Sequence, residues 1–160
     1  MITLAEAAEP VVLTYEQERG KPMPSRLHST VQSNLIVEFA KIGAYRVQSE
    51  LSLELDGKKW TPDICLYARQ PQDWLHDEIL VKEAPLLAIE IFSPSQHGGE
   101  LMDKVHAYLA AGVKSVWLVS PMMRSVAIYH LGDTAARSFG GGKITDSALD
   151  IEVEYDAVFA

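Results

Sequence analysis

Leu86 to Phe92 reads LLAIEIF, seven residues of which only Glu90 is not apolar. A continuous apolar run of this length, bounded by Pro85 and by Ser93-Pro94, is the pattern of a strand covered on both faces. It constrains the chain more than any other segment, because it demands packed elements on either side of a sheet. It also poses a chemical question. A carboxylate inside a buried strand costs several kcal/mol unless it is paired or bound to a cation, so Glu90 requires a partner.

The neighbouring patterns supply the layers. From His28, Val31, Leu35, Phe39 and Ile42 fall on one helical face and Gly43 ends the helix. His28 and Gln32 share that inward face, either as hydrogen-bonded core residues or as lining of a site. Tyr45 to Leu55 alternates apolar and polar, as a strand with one wet face does, and Asp56-Gly57 turns it into a partner strand over Lys59 to Tyr67. Pro62 marks a strand edge or a distortion there. Gln70 to Pro85 reads as a connection with room for a short helix.

After LLAIEIF, Ser93 to Gly99 is a loop, Glu100 to Ala111 a helix stopped by Gly112, and Ser115 to Val119 a strand. Strand, helix, strand predicts a crossover between two parallel strands. Arg124 to His130 is a further strand, Gly140 to Gly142 a turn, and Ile151 to Tyr155 alternates again. The opening segment to Leu27, broken by Gly20, Pro22 and Pro24, reads as an irregular surface arm. Trp60, Trp74 and Trp117 read as packing residues. Together these elements predict an α/β domain with a mixed sheet.

Length and charge narrow the function. The 160 residues suit one domain spanning 1–160, with enough core to fold unaided. Cys65, the one cysteine, has no disulfide partner in the chain, and no Cys-His pattern marks it as a nucleophile. The start, MITLAEAAEP, has neither the basic nor the apolar part of a leader, and the longest stretch without Asp, Glu, Lys or Arg, Leu27 to Val37, is 11 residues. A membrane span needs about 20 apolar residues, so a cytoplasmic protein is expected. A net charge of −8 and a pI near 5.0 have the wrong sign for binding nucleic acid by phosphate neutralisation alone. Lys58-Lys59, the one adjacent basic pair, reads as a solvated hairpin end. A polyanion partner would need a local basic strip, a metal, or both.

Asp63, in Thr61-Pro62-Asp63-Ile64-Cys65-Leu66-Tyr67, is the second acid in a strand pattern. If the strands carrying Asp63 and Glu90 are neighbours, the two carboxylates form an oxygen-rich site suited to Mg²⁺ or Mn²⁺. On the following helix Leu101, Val105 and Tyr108 form the apolar stripe, with Lys104 at its margin. Lys104 lies about 6 Å along the helix, within reach of the strand end that carries Glu90; Lys82 is a less well placed substitute. Two carboxylates, a divalent ion and an ammonium make a plausible phosphodiesterase site.

These residues also carry a resemblance. Pro62-Asp63, Glu90 before Ser93-Pro94-Ser95, Lys104, Tyr108, Ala111-Gly112-Val113 and Val116-Trp117-Leu118-Val119-Ser120-Pro121 resemble the bacterial Uma-two family of restriction-endonuclease-like proteins, within the PD-(D/E)xK nuclease superfamily. The likeness covers about residues 15 to 130, with Tyr15-Glu16, Gly20, Met23-Pro24 and His28 matching the amino-terminal pattern more loosely. It implies a restriction-endonuclease-like fold, a mixed central β-sheet flanked by helices. It implies further that Asp63 and Glu90, with the backbone carbonyl of Ile91, bind Mg²⁺ while water attacks a phosphodiester. The superfamily lysine two residues after the glutamate is Phe92 here, so the resemblance assigns the ammonium to Lys104, and Glu16 as a further acid.

This chain departs from the family pattern at Glu100 and Ser120, where aspartates are usual, and at His97-Gly98-Gly99, where basic residues are usual. The expected activity is a Mg²⁺-dependent endonuclease acting on nucleic acid, DNA before RNA. Against it stand a catalytically silent nuclease-fold module for binding or dimerisation, and a metal-dependent phosphoesterase for small substrates. The one-sided hairpin and the apolar Met122-Met123 suggest a homodimer.

Overall fold

The computed structural model describes residues 10–160. The start of the chain, on which the leaderless reading and part of the expected arm rest, lies outside the described residues. In order, the elements are α1 (Tyr15–Arg19), α2 (Arg26–Ile42), β1 (Tyr45–Ser49), β2 (Leu53–Leu55), β3 (Lys58–Trp60), β4 (Ile64–Ala68), β5 (Leu87–Ile91), α3 (Gly98–Ala110), β6 (Ser115–Ser120), β7 (Ser125–His130), β8 (Arg137–Phe139), β9 (Lys143–Asp146), β10 (Ile151–Glu154) and α4 (Tyr155–Val158).

A six-stranded sheet in the order β1-β4-β5-β6-β7-β8 forms the centre, and β9–β10 and β2–β3 are separate two-stranded hairpins. β5 and β6 are parallel, Leu87 beside Ser115 and Ile91 beside Val119, while the other pairs in the sheet are antiparallel. The mixed sheet follows from the connections: the helical crossover through α3 returns the chain parallel, while short links join antiparallel β6, β7 and β8, and longer connections without a crossover helix join β1 to β4 and β4 to β5. As LLAIEIF predicts, every residue of β5 is buried.

Alternation along β5 divides its side chains between two cores. Ile89 and Ile91 join Val31, Leu35 and Phe39 of α2, with Ile144, Ile151 and Val153 of the second hairpin. Ala88 faces the other way, with Cys65, Leu118 and the Leu101, Val105 and Tyr108 stripe of α3, over which Leu53 and Leu55 of β2 close. Among the described residues no helix is long and apolar enough to cross a membrane.

Three expectations need correction. The segment before Leu27 is not an irregular arm throughout: Thr14 caps α1 reciprocally with Gln17, and Gly20 closes it at φ 69°. Its shortness hides it from any periodicity. The long strand over Tyr45 to Leu55 is two strands, because Glu50 adopts φ 54° and turns the chain from the central sheet into the hairpin; its partner breaks likewise around Pro62, which cannot donate to a ladder. Trp74 is no packing residue but 88% exposed, on a connection with no short helix. Trp117 is fully buried, and Trp60 meets the Tyr108 ring edge-on at 5.6 Å.

Candidate active site

Asp63 lies just before β4, where the ladder to β5 ends. Its N–H donates to the carbonyl of Ile89 at 3.0 Å, and its Oδ2 accepts the N–H of Ile91 at 2.7 Å. The carboxylate thus takes the next rung after the backbone has left it, and the two bonds straddle Glu90. N–H and C=O of one strand residue point to the same neighbour, so the Ile91 carbonyl also faces the Asp63 side.

The other carboxylate oxygens are engaged as well. Asp63 Oδ1 meets Lys21 Nζ at 2.8 Å, His28 Nε2 at 3.1 Å and an Arg19 guanidinium nitrogen at 3.2 Å. Glu90 Oε1 accepts the Tyr108 hydroxyl at 2.6 Å, and Oε2 lies 3.4 Å from Lys21 Nζ and 3.9 Å from Lys104 Nζ. Arg19 also pairs with Glu50 at 3.1 Å. Gln32 bridges that acid and the Asp63 carbonyl at 3.2 and 2.9 Å. All of Lys21, His28, Asp63, Glu90 and Lys104 are buried.

The sequence-predicted residues therefore divide. Asp63, Glu90 and Ile91 come together, Lys104 stands at the edge of the cluster, and His28 and Gln32 line it. Glu16 does not join it: its carboxylate accepts the Met23 N–H at 3.3 Å. Lys82 is surface-exposed and pairs loosely with Glu54. Phe92 carries no charge to the site and instead lines an apolar cleft of about 350 Å³ with Pro94, Met122 and Met123.

Sequence reasoning missed Arg19, Lys21, Glu50 and the polar role of Tyr108. One signal was available for the first two, since Thr14-Tyr15-Glu16-Gln17 has the S/T-x-x-E/Q form that opens a helix. Nothing local marks Glu50, whose left-handed backbone costs on the order of 1 kcal/mol and aims it at Arg19 from a break in the strand.

The electrostatics follow from burial and pairing. His28 and Lys21 hold the Asp63 carboxyl down at about 2 against a strong burial effect. Burial pushes the Glu90 carboxyl up, more than Lys21 and Lys104 lower it. Lys21 is raised, because its neighbouring carboxylates Glu90 and Asp63 outweigh burial. Burial also pushes the Cys65 thiol up, which agrees with an inert core cysteine.

Oxygen donors suit a hard cation such as Mg²⁺, and the set consists of two carboxylates and a carbonyl. Among the described residues no group of three or more His, Cys, Asp or Glu side chains forms a metal cage. The fit is thus one of donor chemistry, at a position where an ammonium already stands between the acids.

A six-stranded mixed sheet between helical layers is the α/β architecture of the restriction-endonuclease-like fold. A family model, Uma2, described as "Putative restriction endonuclease", matches residues 16–153, and the chain belongs to that family. The crystal structure of a "putative nuclease belonging to DUF820" from Anabaena variabilis is similar, with a TM-score of 0.70, 22% identity, and coverage of 86% of this chain and 83% of that one. That likeness carries the fold. A comparison with curated proteins gives no match.

Proposed function

We propose that this protein is a metal-dependent endonuclease that hydrolyses phosphodiester bonds in nucleic acid, with DNA as the first substrate to test. The observation that carries the reading is that one cation-sized position touches both buried acids: Lys21 Nζ reaches Asp63 and Glu90 together. In the reading, Asp63, Glu90 and the Ile91 carbonyl hold Mg²⁺ or Mn²⁺. A divalent ion there supplies a polarised water and a counter-charge for the phosphate.

The chain's own groups do the rest. The Ile91 N–H orients Asp63, and the Tyr108 hydroxyl orients Glu90, so neither acid is free to rotate out of register. Lys104, near Glu90 but not hydrogen-bonded to it, is the ammonium placed to stabilise charge on the phosphate. The reading extends to a homodimer through the exposed Met122 and Met123, which light scattering checks.

The test is cleavage of single-stranded, double-stranded and branched DNA with Mg²⁺ or Mn²⁺. Wild type is expected to cut, and Asp63→Asn and Glu90→Gln are expected not to; full activity in either variant defeats the assignment. A second reading, a silent nuclease-fold module, is favoured by one observation. Glu50, Asp63 and Glu90 already face Arg19, Lys21 and Lys104, so the charges balance without an ion. Absence of cleavage on every substrate supports that reading.

A further inference from the structure

We infer that Lys21 is an internal counter-ion occupying the cation position between Asp63 and Glu90, and that a divalent ion binds there only by displacing it. The inference rests on the reading that these two acids are the metal ligands. Three observations support it.

The position is taken. Lys21 Nζ sits 2.8 Å from Asp63 and 3.4 Å from Glu90, and its side chain is 4% exposed. A divalent ion entering beside it would place like charges in contact in a medium of low dielectric, where their repulsion is poorly screened. One cation must leave for the other to enter.

The segment that carries Lys21 is built to leave. α1 contributes no buried residue, so its departure exposes little apolar core. Gly20 links it to Lys21 at φ 69° with open space around it. What holds the segment is polar: Arg19 on Glu50 and Asp63, Lys21 on both acids, and Lys59 Nζ donating to the Glu18 carbonyl at 3.2 Å. These contacts are charge pairs, so an incoming cation can take over the carboxylates that Lys21 gives up.

The exit is open on one side. A cleft of about 230 Å³, lined by Arg19, Glu50, Lys59 and Thr61 among others, lies against the Arg19 flank of the cluster. Solvent and ions therefore approach the salt-bridged segment without crossing the apolar core. In this arrangement metal affinity is set by exchange of one ammonium for one divalent ion.

The experiment is calorimetric titration of the full chain with Mn²⁺ for wild type, Lys21→Met and Lys21→Arg. Lys21→Met is expected to bind Mn²⁺ roughly tenfold tighter or more, since the ammonium that bridges the two acids no longer competes, and Lys21→Arg to show no gain. Lys21→Gln repeats the titration should the methionine variant fail to fold. In wild type, an amine-acylating reagent followed by peptide mass spectrometry should find Lys21 protected without metal and modified faster once Mn²⁺ is bound.

Equal or weaker Mn²⁺ binding after Lys21 is removed, or no binding by wild type and neutral variants alike, overturns the inference. So does a Lys21 that stays protected while Mn²⁺ is bound. Tight Mn²⁺ binding by the neutral variants with no cleavage upholds the counter-ion and sinks the endonuclease. Cleavage by wild type with metal affinity unmoved by the substitution does the reverse.

Discussion

The Tyr108 hydroxyl donates to Oε1 of Glu90 at 2.6 Å, joining the crossover helix α3 to β5, the strand before it. Burial and the adjoining acid push the phenol well above its ordinary range, so it stays a donor throughout the physiological range. Tyr108→Phe keeps the ring packed against Trp60 but removes the one hydroxyl on that oxygen. We expect a loss of about 1–3 kcal/mol, the cost of a buried acceptor left unmatched, measured by urea denaturation at neutral pH. A variant as stable as wild type would mean that the bond contributes nothing net.

The two acids differ in what their charge does for the fold. Pairing holds the Asp63 carboxyl low, so its anion is net favoured, whereas burial pushes Glu90 up, so its anion is net disfavoured. Asp63→Asn removes a favoured charge and leaves Lys21 and Arg19 underpaired; about 3 kcal/mol of destabilisation is expected. Glu90→Gln should cost about 1 kcal/mol or less, since the buried charge it removes was unfavourable and Asp63 still pairs Lys21. Denaturation midpoints in the opposite order would reverse this account.

The same asymmetry sets the pH dependence. A carboxyl held at about 2, against an ordinary 3.8, contributes stability that is present above the ordinary value and is lost as pH falls from about 4 towards 2. For Asp63 that amounts to about 2 kcal/mol. Glu90 has the opposite sign: its raised carboxyl favours the fold below its ordinary value and withdraws that contribution as pH rises through the folded one. Acid titration of stability should therefore flatten below pH 4 in Asp63→Asn, and an unchanged acid slope in that variant would place the effect elsewhere.

Lys104 separates stability from activity. At 3.9 Å from Glu90 and without a hydrogen bond to it, Lys104 adds little to an acid that Lys21 and Tyr108 already engage, so Lys104→Met, which keeps the volume of the buried stem, should shift stability by less than about 1 kcal/mol. If it stabilises phosphate charge, cleavage should fall by about 100-fold or more. Thermal melts and initial rates on the same preparation make the comparison, and an unaffected rate removes Lys104 from the reaction.

Much of the frame was legible because burial repeats with the period of the local element. LLAIEIF predicts the covered strand, the stripe of Val31, Leu35 and Phe39 predicts α2, and Leu101, Val105 and Tyr108 predict α3. The demand that Glu90 find a partner was also legible, as was Asp63 as a second acid. Where period failed, a single residue had changed the backbone: Glu50 in the left-handed region splits one expected strand into two. Trp74 misled for a different reason, since an aromatic side chain by itself says nothing of whether its loop turns inward.

The sequence by itself determined the layered α/β fold, through apolar periodicity and turn residues, and it marked the two acids as charges set in strand patterns; the family came from the likeness of its motifs. Only the tertiary structure decided which cations answer those acids. Lys21 stands 42 residues from Asp63 and 69 from Glu90, and a salt bridge over such separations has no period to read. It depends on distance through space, set here when the capped α1 and Gly20 bring Arg19 and Lys21 to the place where the ladder between β4 and β5 ends.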